Sequence, residues 1–319
     1  MTGCPYANLL DPNTYGEGMP YAELARVREQ GSLVKMDDPV NGVPYWVAST
    51  QSAIDFVSKN PALFSSAARS AWPQEDPQEM VEAFHQKSVI NMDPPLHQKM
   101  RRVIRSAFTP KAVASYEANF REHAKQIIDR VAAKGECEFV EEVAAELPLI
   151  AILELLGVPT DARSQFYDWT NTMIFAADPD MEISDDDAQK AAFQMIQYAM
   201  GMAEQHKQSP LHNMTGVLLD GMIEDRPVSV EEFGWMWLLI MVGGNESTRT
   251  MISQGLRLLM EHPEQLQFLV ENPDKIGAAV EEILRYNTAF ICMRRTALED
   301  VEFDGHQIAA GDKIILHYH

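Results

Sequence analysis

One stretch, Ser229 to Glu261, constrains this chain more than any other: SVEEFGWMWLLIMVGGNESTRTMISQGLRLLME. Its apolar spacing predicts a single long helix. Ser229 and Glu232 stand at capping-box spacing, so each side chain can satisfy an orphan backbone N–H. The helix is expected to stop at His262-Pro263, because proline cannot continue it. At 1.5 Å per residue it spans roughly 45–50 Å, enough to cross a whole domain. Its centre contradicts its ends. Gly243-Gly244-Asn245-Glu246-Ser247-Thr248 follows the apolar run Trp235 to Val242. Each interior glycine costs about 1 kcal/mol relative to alanine. A well-capped helix with a weak, polar middle is the local conflict expected at a functional site.

Composition narrows the class. The chain has 319 residues, 46% of them hydrophobic, and a net charge of −21. That excludes general binding to nucleic acid or anionic membranes. The three cysteines, Cys4, Cys137 and Cys292, form no CxxC, no zinc spacing and no even framework. No signal peptide is recognisable at the N-terminus, and Trp235 to Val242 is far shorter than the ~20 residues of a membrane span. A soluble, cytoplasmic protein is expected.

Helical spacing recurs along most of the chain. Helices are expected at Tyr21 to Gln30, at Gln51 to Lys59 behind a Thr50 cap, and near Pro77–His85. More follow at Leu96 to Phe108, Val113 to Ala133, Glu141 to Leu156, Ala162 to Phe175, Ile183 to His206 and Met214–Met222. After the long helix come Pro263 to Val270 and Pro273 to Asn287. Strands are expected at Leu33–Met36 and Tyr45–Ala48, and the last residues, Lys313 to His319, alternate as a strand. Residues 65–93 have no clear period, which marks a functional or mobile loop. The expected architecture is mainly α, one domain over residues 1–319, with small peripheral sheets. The chain stops inside its last strand and reads as incomplete at the C-terminus.

Three clusters could carry chemistry. Lys99, Arg101, Arg102, Arg105 and Lys111 gather where no acidic residue lies between Pro94 and Tyr116. His97, Arg101 and Arg105 share one helical face, which suits an anion site, while Lys99 and Arg102 point elsewhere. Taken singly, each is also an ordinary solvated charge. Glu282 and Arg285 are spaced to pair on one helix. Gly243–Thr248 offers close backbone approach plus an acid and two hydroxyls, or simply a packed kink. His317 and His319 alternate on a strand, but two ligands are too few for a metal site.

Taken in order, these residues resemble a cytochrome P450 of the soluble bacterial kind. The oxygen-binding helix of that family reads small residue, Gly, any residue, acid, Thr; here Gly243, Gly244, Asn245, Glu246 and Ser247 match, with serine for threonine and Thr248 following. The family's ExxR pair matches Glu282 and Arg285. Its DPP turn and HxxxR helix match Asp93-Pro94-Pro95, His97 and Arg101, and its further haem-contacting arginine matches Arg295. The cysteine loop that supplies the iron-binding thiolate has no counterpart among Cys4, Cys137 and Cys292.

The resemblance implies haem b and insertion of one oxygen atom of O2 into an apolar substrate. It implies that Gly243 and Gly244 leave space over the haem and that Ser247 holds water and dioxygen. Glu246 and Thr248 would feed protons. His97, Arg101 and Arg295 would neutralise the propionates, and Glu282–Arg285 would be a structural pair. Lys99, Arg102 and Arg105 would meet an acidic ferredoxin-type electron donor. Residues 66–92 and Phe166 to Met202, including Trp169, Met173, Ile174, Phe175, Phe193, Met195 and Met200, would form a roof for a terpenoid, steroid, alkane or fatty acyl substrate. Without the thiolate loop the 319 residues by themselves are expected to be inactive. The rival expectation is a non-catalytic helical binder of an apolar ligand.

Overall fold

The structure, a computed structural model, describes residues 8–38, 41–176, 178 and 180–319. Cys4 and part of the Asp37–Gly42 turn lie outside these. In chain order come α1 (Tyr21–Gln30), β1 (Leu33–Met36), β2 (Tyr45–Ala48), α2 (Gln51–Lys59), β3 (Phe64–Ser65) and α3 (Gln78–Ala83). Next are α4 (Leu96–Ala107), α5 (Pro110–Ala132), α6 (Glu146–Leu156), α7 (Arg163–Phe175), α8 (Asp185–Gln208) and α9 (Met214–Leu219). A short hairpin follows, β4 (Met222–Ile223) and β5 (Arg226–Pro227). The long helix α10 (Val230–Glu261) leads to α11 (Pro263–Glu271) and α12 (Ile276–Tyr286). The chain ends through β6 (Cys292–Ala297), β7 (Val301–Phe303), β8 (His306–Ile308) and β9 (Lys313–His317). The fold is mainly helical, as expected.

These elements form two compact units, one within residues 1–98 and 290–319, the other from 99 to 289. In the first, strands from both ends of the chain join one five-stranded sheet in the order β1-β2-β9-β6-β3. β2 and β9 pair in parallel, Tyr45 opposite Lys313, while β9 and β6 are antiparallel. Every residue of β2 and β9 is buried, because both faces of the sheet are covered. Trp46, Ala48, Ile314 and Leu316 face α2 through Ala53 and Val57. Tyr45, Val47 and Ile315 face α1 through Leu24 and Val27. The alternation follows the strand period of two.

In the aperiodic segment 65–93, side-chain bonds supplement the short helix α3 and the pairing of β3 with β6. Asn91 Oδ1 accepts from Ala71 N at 2.8 Å, and Gln86 Nε2 donates to Ala67 O at 3.0 Å. Glu75 of this segment accepts from Arg294 Nη1 at 2.9 Å and pairs with Lys313 Nζ at 2.8 Å. Lys313 and Arg294 are both buried. Asp38 lies 3.7 Å from Lys313 Nζ.

In the second unit α10 is the central element and packs on α6, α7, α8, α9 and α12. Its capping box is present: Ser229 Oγ accepts from Glu232 N at 3.2 Å, and Glu232 Oε2 accepts from Ser229 N at 2.9 Å. Trp237 Nε1 donates to Thr215 Oγ1 at 3.1 Å, and Thr215 Oγ1 donates to Leu156 O at 2.6 Å. A buried indole is thereby satisfied. Some boundaries differ from the sequence expectation for local reasons. α5 starts at Pro110 because Thr109 Oγ1 accepts from Ala112 N and proline suits the first turn. The predicted helix Glu141 to Leu156 opens as a π-helical turn, Val140–Ala144, before α6. The predicted helix Met214–Met222 ends at Leu219, because the chain turns at Gly221 into the unpredicted hairpin.

Candidate active site

α10 runs unbroken through Gly243–Thr248, so the glycines do not open the helix. The two hydroxyls turn inward onto the backbone instead. Ser247 Oγ donates to Gly243 O at 2.6 Å, and Thr248 Oγ1 donates to Gly244 O at 3.0 Å. This i to i−4 bonding adds a second donor to each glycine carbonyl. Ser247 is half-buried and Thr248 exposed. The two glycines face different surroundings. A Cβ on Gly243 would meet no atom within 4 Å, whereas a Cβ on Gly244 would lie 3.0 Å from Ile152 Cδ1 of α6. Gly244 therefore has a packing reason of its own, and the open backbone is at Gly243.

Glu246 is not a free acid. Its carboxylate forms an ion pair with the Arg249 Nη2, and Arg249 Nε donates to Glu246 Oε1 at 3.2 Å. Arg249 is 5% exposed. Its Nη1 donates to Asn171 Oδ1 of α7 at 3.0 Å, and its guanidinium lies 5.3 Å from the centre of the Phe175 ring. One turn earlier, buried Asn245 donates from Nδ2 to Thr170 Oγ1 at 3.2 Å. A polar seam thus ties the acid of the motif to α7. The sequence reading missed Arg249, although Glu246–Arg249 has the same i, i+3 spacing as Glu282–Arg285.

The first unit holds the Arg295 side of the pattern. Arg295 is half-buried, and among the described residues it makes no ion pair; Nη1 donates to Arg294 O at 2.7 Å. Burial lowers its pKa, while the charges of Tyr318 and Asp93 act the other way. A desolvated guanidinium without a paired carboxylate suits an anionic ligand. Asp93 of the DPP turn accepts from Ser66 N at 2.8 Å and from the Ser65 hydroxyl, which fixes the entry to α4. α4 carries His97, half-buried, and Arg101, exposed and without an ion pair among the described residues.

Several other expectations resolve differently. Glu282 and Arg285 form the bidentate pair, at 2.7 Å for both contacts, but their side chains are 61% and 68% exposed. Ile283 between them packs instead, and a Cβ on Gly255 would lie 3.1 Å from its Cδ1. Of the predicted roof, Phe166 and Met195 belong to the core, and Phe166 sits edge-on to Tyr198 at 5.0 Å. Phe193 and Met200 are exposed on α8. Cys292 is half-buried, and desolvation pushes its thiol up to about 11, so it is protonated at neutral pH. Buried His317 meets the Tyr15 hydroxyl at 3.1 Å and is pulled down to about 4, chiefly by burial. Among the described residues no group of three or more His, Cys, Asp or Glu side chains could hold a metal ion. No described helix is long and apolar enough to cross a membrane.

No protein-family model matches the chain. Individual proteins do. It is 35% identical to the steroid C26-monooxygenase of Mycolicibacterium smegmatis over 98% of its own length and 74% of that protein. It is 31% identical to the linalool 8-monooxygenase of Pseudomonas putida over 98% of its length and 78% of the relative. In structure it is similar to a Mycobacterium marinum cytochrome P450 in complex with pseudoionone, with a TM-score of 0.86, 26% identity, and coverage of 100% of this chain and 80% of that one. The Novosphingobium aromaticivorans enzyme CYP108D1 gives a TM-score of 0.85 at 26% identity, covering 97% and 76%. The fold and the ordered motifs therefore define a haem-dependent monooxygenase. The chain belongs to the cytochrome P450 family, whose cofactor is haem b.

Proposed function

We propose that this chain belongs to a monooxygenase for an apolar small molecule of steroid, terpenoid, alkane or fatty acyl type, served by a separate ferredoxin-type donor. The observation that carries the reading is the likeness over 98% of the chain to a steroid C26-monooxygenase. The relatives act on a steroid, on linalool and on methyl-branched lipids by name, and the apolar residues of α7 and α8 suit such ligands. A cytoplasmic location fits the free Cys137 and Cys292.

Each unit by itself offers a feature that suits haem: a desolvated Arg295 without a carboxylate partner in the first, and open backbone at Gly243 in the second. His97, Arg101 and Arg295 would hold its propionates with charge-assisted bonds. When bound, haem supplies the activation of dioxygen with two electrons and two protons. Ser247 already donates its proton to Gly243 O. It can pass a proton on only by accepting another at its Oγ lone pair, which makes it a relay and not a source. Glu246 is the nearest acid in sequence, steadied by Arg249, and Thr248 offers a second hydroxyl. Lys99, Arg102 and Arg105 on α4 would receive the donor protein.

None of the three cysteines matches the family's thiolate loop, and protonated Cys292 is a poor ligand. The 319 residues by themselves are therefore proposed to be inactive. The test is the carbonyl complex of the reduced, haem-supplemented chain. Haem uptake without the red-shifted thiolate Soret band is expected. That band would show a resident thiolate, and failure to take up haem would remove the propionate assignment.

A further inference from the structure

The basic face of α4 is not bare. The hairpin β4–β5 is seated beside it, and the seat is tight. A Cβ on Gly221, just before β4, would lie 2.5 Å from Val103 Cγ1 of α4 and 2.9 Å from Leu218 O. Only glycine fits that approach. Val228 N closes the hairpin base by donating to Gly221 O at 3.0 Å, and Ile223 is buried.

At the hairpin tip Glu224 has φ of +56°, a left-handed backbone uncommon for a residue with a side chain. Its carboxylate reaches Lys99 Nζ at 2.8 Å. The hydrogen bond from Lys99 holds its carboxyl below the usual range, with smaller contributions from the charges of Lys99, Arg102 and Arg226. Arg226 itself is taken up by Glu232, at 2.7 and 2.8 Å. Glu224 is thus directed at α4, one helical turn from the Val103 contact.

An exposed ion pair of this kind adds little to stability. Its effect on a docking partner is larger, because it places a carboxylate where an acidic protein would place its own. We propose that Glu224 is a built-in competitor: it occupies Lys99 and screens Arg102, and an acidic donor protein must displace it to dock on α4. The inference rests on α4 being the donor surface. Its consequence is a weaker, faster-releasing complex than the count of cations on α4 would give, which suits a donor that must leave between two electron deliveries.

The test measures binding of the chain to an acidic [2Fe–2S] ferredoxin by calorimetric titration, at low salt and at about 0.5 M salt. Glu224→Gln is expected to tighten binding about two- to fivefold at low salt. The gain should vanish at high salt and in a Lys99→Gln background. Glu224→Asn, a residue at ease in left-handed backbone, should behave the same way. Arg102→Glu should weaken binding under the same low-salt conditions. If Arg102→Glu weakens binding while both Glu224 variants leave it unchanged or weaker, the competitor is overturned and the docking face stands. If no variant changes binding, the docking face itself is wrong and the competitor falls with it.

Discussion

Gly243 and Gly244 are neighbours that the motif treats alike and the structure does not. Alanine in a helix interior is favoured over glycine by about 0.5–1 kcal/mol, partly through the unfolded chain. At position 243 nothing lies within 4 Å of the new Cβ, so the gain is expected in full. At position 244 the Cβ would press on Ile152 at 3.0 and 3.3 Å, and the strain offsets it. Gly243→Ala should raise the unfolding temperature by about 2 °C, and Gly244→Ala should leave it unchanged or lower it. Calorimetry checks both; equal gains would mean that Ile152 yields freely and that Gly244 has no packing role. Spacing revealed the polar residues of this motif but not where their protons point. The Ser247 hydroxyl could have turned to a neighbour or to its own helix, and that choice belongs to the rotamer. The Glu246–Arg249 pair was legible in principle, since both lie on one helix at pairing distance. What no spacing could supply was Asn171, contributed by another helix.

At the scale of elements, α10 was the most legible because its signals are local. Ser229, Glu232 and Pro263 act within one turn of the ends they define. The cap also predicts a pH effect. Hydrogen bonds from Arg226 draw the Glu232 carboxyl down to about 2, against opposition from burial, with help from Ser229. A carboxylate depressed in the folded state stabilises above its unfolded pKa near 4.5 and loses that contribution as pH falls toward 2. The whole shift corresponds to roughly 3 kcal/mol. Arg226 is more than half exposed, so screening reduces this to about 1–2 kcal/mol. Glu232→Gln should therefore destabilise by that amount at pH about 7, and the gap from the unaltered protein should close as the pH falls through the acid range. Denaturant unfolding at a series of pH values measures it; a constant gap would mean that the bond to Ser229 N, not the charge, carries the effect. The hairpin β4–β5 was illegible for the opposite reason. It has two residues per strand and a non-glycine at a left-handed turn, so neither alternation nor turn chemistry announces it. Missing it also hid Glu224, and the basic run after Pro94 looked free of acids when one reaches it from far along the chain.

At the scale of the molecule, the sequence showed strands at both ends but not that β9 lies between β2 and β6. The residues that secure this arrangement are far apart in sequence: Asp38, Glu75, Arg294 and Lys313. Taken singly, each would be expected at the surface, since charged residues are rarely buried unless paired. Together they form a cluster in which Glu75, itself half-buried, is the anion between buried Arg294 and Lys313, with the more exposed Arg69 at 3.6 Å on its outer side. Burial alone would push the Glu75 carboxyl up, yet the hydrogen bond from Lys313 and the charges of Arg294 and Lys313 outweigh it, so its net shift is downward. Replacing it by glutamine keeps the size and removes the charge. Lys313 and Arg294 would then remain in the interior with Asp38 at 3.7 Å from Lys313 as the remaining carboxylate. An uncompensated buried charge typically costs 3–5 kcal/mol, so Glu75→Gln should destabilise by about 3 kcal/mol. Hydrogen exchange of the β9 amides should quicken accordingly, because that strand carries Lys313 and bonds to neighbours on both sides. Adding Lys313→Met should recover part of the loss, since an apolar chain of similar length replaces the stranded ammonium. Added salt should not substitute for Glu75, because Lys313 and Arg294 are buried and ions screen buried charges little. If the single and double variants unfold alike, or if salt restores the single variant, the cluster is solvated and the sheet is held by its apolar faces alone.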